Sequence, residues 1–152
     1  MRVAKTSAGL LLWRRRDGEV EVLLAHPGGP FYAKKDDGVW SVPKGEHDAT
    51  EAALDAARRE YAEELGLAPP DGEPVLLGSV VLKSGKVVTA WAVEADPDLS
   101  GFDPGTFDLE WPPRSGRVQP FPEVDRVTWF GLAEAAVKLA PAQVAFLSRL
   151  PG

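Results

Sequence analysis

Glu51, Arg59, Glu60, Glu63 and Glu64 bring four carboxylates and a guanidinium into one short stretch of the chain. Glu60 and Glu64 are four residues apart. Like charges at that spacing repel by a few tenths of a kcal/mol on an exposed helix, and by more where water is excluded. A divalent cation turns that repulsion into ligation. Magnesium takes oxygen ligands at about 2.0–2.1 Å, keeps several waters, and is commonly held by carboxylates together with a substrate phosphate. Glu60, Glu63 and Glu64, converging from one helix, meet that demand. The formal net charge of -6 points the same way. An acidic chain admits a polyphosphate when a cation bridges the two, whereas general nucleic-acid binding needs clustered Lys and Arg.

The carboxylates need a helix to align them. Asp48 followed by Glu51 is a capping-box arrangement, with Thr50 as an alternative cap, so the helix is expected to begin near Ala49 to Glu51. Gly66 fits the left-handed residue just past its end. At roughly 100° per residue, Leu54, Ala57, Tyr61 and Leu65 form the stripe that packs on a sheet. Glu60 and Glu64 lie beside that stripe, roughly 60–100° from its centre, where a merely solvated face would lie opposite it. Ala52, Ala53 and Ala56 either leave room for a phosphate or express helix propensity. Arg59 is within reach of both Asp55 and Glu63.

Together with Gly45, Gly66 and the apolar Leu67, these residues follow the pattern G-x5-E-x7-R-E-U-x-E-E-x-G-U, with U a bulky apolar residue. The stretch resembles the Nudix box, with Tyr61 where that family usually carries an aliphatic side chain. The resemblance implies an α+β fold, the Nudix α/β/α sandwich around a mixed central sheet. It also implies a magnesium-dependent hydrolase, with manganese as a substitute, that cleaves a phosphoanhydride in a nucleoside diphosphate linked to another moiety. It makes Glu60, Glu63, Glu64 and the Gly45 carbonyl metal ligands, with the glycine allowing a tight bend. Arg59 and Glu51 become the supports that orient the site. A further glutamate from a late loop is expected as ligand or base, and Glu123 is preferred to Glu110, with Asp125 third. The base is one of the box glutamates or Glu123.

Trp40-Ser-Val-Pro43-Lys44-Gly45 resembles the lead-in of Nudix enzymes that act on dinucleoside and diphosphoinositol polyphosphates. Lys44 is accordingly a candidate phosphate contact, with an ordinary surface lysine as the alternative. The wider pattern through Glu110-Trp-Pro-Pro and Pro122-Glu123-Val-Asp125 resembles a bacterial group of predicted NTP pyrophosphohydrolases. NTPs and dinucleoside polyphosphates therefore lead as substrates. An ADP-ribose or NADH type of pyrophosphatase, and a silent nucleotide-binding regulatory domain, are the alternatives. Phe31, Tyr32 and Trp40 are candidates to stack on a base or, more commonly for aromatics near a sheet edge, to pack. His26 and His47 are read as loop residues, too few for a histidine metal site.

Around the box, the spacing predicts strands over Ser7–Trp13 and Val20–Ala25, joined at Asp17-Gly18, a short strand over Val39–Val42, and a pair over Val75–Leu82 and Val87–Glu94. Asp96 to Pro120, with five prolines and three glycines, reads as loop around a strand at Phe107–Trp111. A strand over Val124–Phe130 and helices over Leu132–Leu139 and Ala142–Leu150 close the chain. At 152 residues, 44% hydrophobic and 26% charged, a single domain over 1–152 is expected. No apolar run reaches the roughly 18 residues that span a bilayer. The absence of cysteine excludes disulfides and thiol chemistry and suits a cytoplasmic setting. The expected partner is a small nucleoside polyphosphate, with neither nucleic acid nor membrane.

Overall fold

The computed structural model describes residues 6–151, so the two ends of the 1–152 range lie outside the described residues. Its elements are β1 (Thr6–Arg16), β2 (Glu19–Pro27), β3 (Lys44–His47), α1 (Ala53–Leu65), β4 (Val75–Val81), β5 (Val87–Glu94), β6 (Thr106–Glu110), β7 (Val118–Pro122), β8 (Val124–Gly131) and α2 (Leu132–Lys138). Short 3₁₀ segments cover Leu99–Gly101 and Pro141–Arg149.

The leucine-rich β1 is buried on both faces, as the two-residue period of a central strand requires. Ala8, Leu10 and Leu12 join Ala56, Ala57, Tyr61 and Leu65 of α1 in one cluster. Leu11 and Trp13 join Leu24, Trp40, Ala135, Leu139 and Phe146 in another, on the side of α2 and the last 3₁₀ segment. The sheet runs β4-β5-β1-β2-β8 with β3 beside β1. The β1–β5 pair is parallel and the others antiparallel, so the sheet is mixed. The result is the expected α+β sandwich.

One edge of β1 is shared. Thr6 to Gly9 pair with β3, while Trp13 to Arg16 pair with β2. The sheet therefore opens between β2 and β3, and β6 and β7 form a separate hairpin. No helix among the described residues is long and apolar enough to cross a membrane.

Several local expectations are corrected. The helix starts at Ala53 behind Ala52, which makes no side-chain cap. Asp48 instead accepts the Thr50 N–H at 2.9 Å, closing its own turn. Glu51 is engaged by Arg59 and is not free to cap. Residues 39–42 make only isolated bridges, Ala25 with Ser41 and Trp40 with Leu139. The Gln143 side chain takes the Val42 N–H at 2.9 Å in place of a strand neighbour. The last helix is 3₁₀, and Val144, Leu147 and Leu150 face the core at a three-residue spacing, its natural period. Ala56 is fully buried in the core and leaves no room for a phosphate. His26 is fully buried on β2, where its ring nitrogens meet the Asp125 carboxylate at 2.8 Å and the Lys35 carbonyl at 2.7 Å.

Candidate active site

The C-terminal end of α1 is tied to the late loop by backbone hydrogen bonds. Gly66 terminates the helix at φ 65°, and a Cβ there would lie 2.1 Å from the Asp103 carbonyl oxygen. The Asp103 N–H donates to the Leu65 carbonyl at 2.9 Å, and the Gly105 N–H to that of Glu63 at 3.1 Å. The Gly105 carbonyl accepts from the Glu123 N–H at 2.8 Å, and the Glu123 carbonyl accepts from Gly28 at 2.9 Å. Glu123 is thus held from both sides, just before β8, where its side chain reaches the same cleft as Glu60 and Glu64.

β3 fixes the opposite wall. Gly45 pairs regularly with Ala8 and needs no positive φ, so the expected tight bend is absent. The glycine is demanded by proximity, because a Cβ there would sit 1.9 Å from Glu60 Oε2. The Lys44 N–H donates to Glu64 Oε2 at 3.2 Å. Burial pushes the Glu64 carboxyl up to about 8, with Glu123 and Glu60 adding to the rise. Burial also raises Glu60, against the pull of Arg59. The Lys44 ammonium is pushed down, first by burial and then by the charge of Lys86.

Arg59 organises the rim. Its Nε and Nη2 make a two-pronged contact with Glu51 at 2.8 Å, and Nη1 reaches Glu60 at 2.9 Å and Glu63 at 3.1 Å. Its proton affinity rises, chiefly through Glu51. The box loop is thereby fastened to α1, and the Asp55 alternative is not taken up.

The cleft holds about 550 Å³ and is lined by Glu60, Glu64, Glu123, Gly45, Lys44 and Tyr32 among the predicted residues. Glu63 is not brought in. Its side chain is 56% exposed and rests on Arg59. Glu51 lines an adjoining hollow with His47 and Arg59. Trp40 is withdrawn as a base platform: it is 2% exposed, its ring edges pack on His26 and Phe130, and its Nε1 donates to Asp36 at 2.7 Å. Glu110 is exposed on β6 and accepts the Arg114 N–H, and Asp125 is bound to His26. Ser7, Glu46, Lys86 and Phe107 also line the cleft. Their contribution depends on strand register, which leaves no local mark in the sequence.

The donors facing the cleft are oxygens, as a hard divalent cation requires. Among the described residues no three His, Asp or Glu side chains already stand at metal-holding spacing. Arg59 engages Glu60, and the Lys44 amide engages Glu64. Glu60 would reach a cation by leaving Arg59, and the oxygen donors gather where it would sit: the charge of Glu123 raises the proton affinity of both Glu60 and Glu64, and Glu60 raises that of Glu64.

The model of the NUDIX domain matches residues 4–150. The chain belongs to the Nudix family. As a Nudix hydrolase it acts on phosphorus-containing anhydrides, a class of reaction that generally uses divalent metals. No curated protein sequence matches it. Similar solved structures include an Ap4A hydrolase binary complex from C. elegans, 23% identical with a TM-score of 0.65, covering 96% of this chain and 94% of that one. The NUDIX domain of Shewanella oneidensis NrtR complexed with ADP ribose is 19% identical with a TM-score of 0.64, covering 98% and 87%. The Nudix hydrolase RenU from M. smegmatis is 25% identical with a TM-score of 0.54, covering 95% and 81%. The first two likenesses are of fold alone, and the Nudix sandwich is common to all three.

Proposed function

We propose that the protein is a magnesium-dependent pyrophosphohydrolase, with NTPs or dinucleoside polyphosphates as its substrates. The observation that supports this most is the meeting of Glu60, Glu64 and Glu123 in one cleft beside Lys44. Glu60 and Glu64, with Glu123 opposite and the Gly45 carbonyl nearby, are the proposed cation ligands, and Glu63 joins them by leaving Arg59. The cation when bound polarises phosphoryl oxygens, lowers the proton affinity of water and stabilises the leaving phosphate. Lys44 binds a phosphate oxygen, and Tyr32, 40% exposed at the mouth, offers its ring to a base. A box glutamate or Glu123 takes the proton from the attacking water.

Dinucleoside polyphosphates carry weight because of the Pro43-Lys44-Gly45 lead-in and the likeness to the Ap4A hydrolase. The ADP-ribose-bound neighbour keeps linked diphosphates in the substrate panel. The test is Glu64→Gln. Turnover is expected to fall by orders of magnitude while the thermal midpoint in EDTA stays level or rises, because a buried carboxylate that other carboxylates repel is removed. Near wild-type turnover would remove Glu64 from the mechanism.

A further inference from the structure

Strand register places two lysines and a serine on one patch of the sheet. Ser7 of β1 pairs with Glu46 on β3 and with Val88 on β5. Lys44 is two residues from Glu46, and Lys86 two residues from Val88. The strand period thus sends Ser7, Glu46 and Lys44 to the same face, and Lys86, on the turn just before β5, joins them in the lining of the cleft. Lys86 stands on a built turn: the Leu82 N–H donates to the Lys86 carbonyl at 2.8 Å, the Gly85 N–H returns to Leu82 at 2.8 Å, and Gly85 sits at φ 91°. Its ammonium meets Glu46 Oε1 at 3.0 Å, which holds it over the cleft.

Ser7 is the anomaly. It is fully buried against this cleft, and its hydroxyl has no hydrogen-bond partner. A buried unpaired hydroxyl is costly, and because Ser7 lines the open cleft a ligand entering it can supply the missing partner, which the core-bound Tyr61 hydroxyl cannot gain. Two ammonium groups beside Ser7 state the chemistry of that partner, an anion with oxygen acceptors.

The geometry points to a second phosphate subsite formed by Ser7, Lys44 and Lys86, which takes a polyphosphate chain as it runs from the carboxylates past Lys44 towards Lys86 and so favours substrates with three or more phosphates over linked diphosphates. This deepens the proposed function and rests on it for the identity of the substrate, but not for the binding of the anion. The carboxylates and the lysines lie in the same cleft, so a chain of phosphates can bridge them, whereas a single diphosphate engaged by the cation leaves Lys86 paired with Glu46.

The probes are inorganic tripolyphosphate and inorganic pyrophosphate, titrated calorimetrically in EDTA into the full-length wild type, Lys86→Gln and Ser7→Ala. Lys86→Gln is expected to weaken tripolyphosphate binding by about tenfold and pyrophosphate binding much less, as loss of one charge-assisted contact implies. Ser7→Ala is expected to weaken tripolyphosphate several-fold with the thermal midpoint unchanged or higher, which excludes a folding defect as the cause. Tripolyphosphate binding that is absent in the wild type, or equal in all three proteins, overturns the subsite. The outcome separates from that of the reaction: the same variants assayed in magnesium on ATP and ADP-ribose should lose kcat/KM on ATP selectively. A wild type that turns over neither of these, nor any other nucleoside or dinucleoside polyphosphate, while showing the tripolyphosphate effect retains the subsite and overturns the hydrolytic reading.

Discussion

Glu64 carries a pH signature that can be read without any substrate. Its ordinary value is 4.5, and burial lifts it to about 8 in the folded chain. Between those values the folded state holds a proton that the unfolded state has released, so stability from this group is full at low pH and is lost as pH rises towards 8. Denaturation midpoints in EDTA at pH 5 and pH 8 should therefore fall more steeply for the wild type than for Glu64→Gln. Magnesium should flatten the wild-type slope by stabilising the anion. Parallel slopes in EDTA would show that Glu64 is ordinarily solvated. Gly45→Ala makes a complementary prediction: the added Cβ pushes aside the flexible Glu60 carboxylate and not a rigid wall. Turnover should drop at least tenfold with a stability loss within about 1–2 kcal/mol, and full activity would show that Glu60 tolerates displacement. Glu60 and Glu64 were legible from the helical wheel because their placement follows from local periodicity. Ser7 and Lys86 were not, since only the pairing of β1 with β3 and β5 sets them beside Lys44.

At the scale of elements, α1 is a lever between the sheet and the late loop. Its apolar stripe was readable, and Ala57, Tyr61 and Leu65 are buried as expected, with Leu54 at the margin. Its start was not readable, because Asp48 and Glu51 satisfy partners other than the helix amides. The 3₁₀ character of 141–149 was hidden because spacings of three occur in both helix types, and β7 was hidden among prolines. Tyr61 is the place where α1 departs from the aliphatic pattern. It is fully buried with an unpartnered hydroxyl, and burial holds its phenol up at about 12. Tyr61→Phe removes the orphan group and keeps the ring. It should stabilise the protein by about 1 kcal/mol, a rise of roughly 2–4 °C in Tm, with kcat unaltered. A clear loss of stability would mean that the hydroxyl has a partner.

The whole molecule joins an acidic chain to an anionic substrate. β1 was visible as a strand in the unbroken apolar run around Leu10–Leu12, and the family in seven box positions. The cleft itself arises from a tertiary feature, the opening between β2 and β3, across which the late loop presents Glu123. In the proposed function these carboxylates work through a divalent cation on a phosphoanhydride. The decisive assay is phosphate and pyrophosphate release by the wild type from NTPs, diadenosine polyphosphates, ADP-ribose, NADH and diphosphoinositol phosphates, in magnesium and in EDTA. Turnover of a nucleoside triphosphate or a dinucleoside polyphosphate is expected in magnesium, and none in EDTA. Equal turnover in EDTA, or silence across the panel with the same ligands bound, would contradict it.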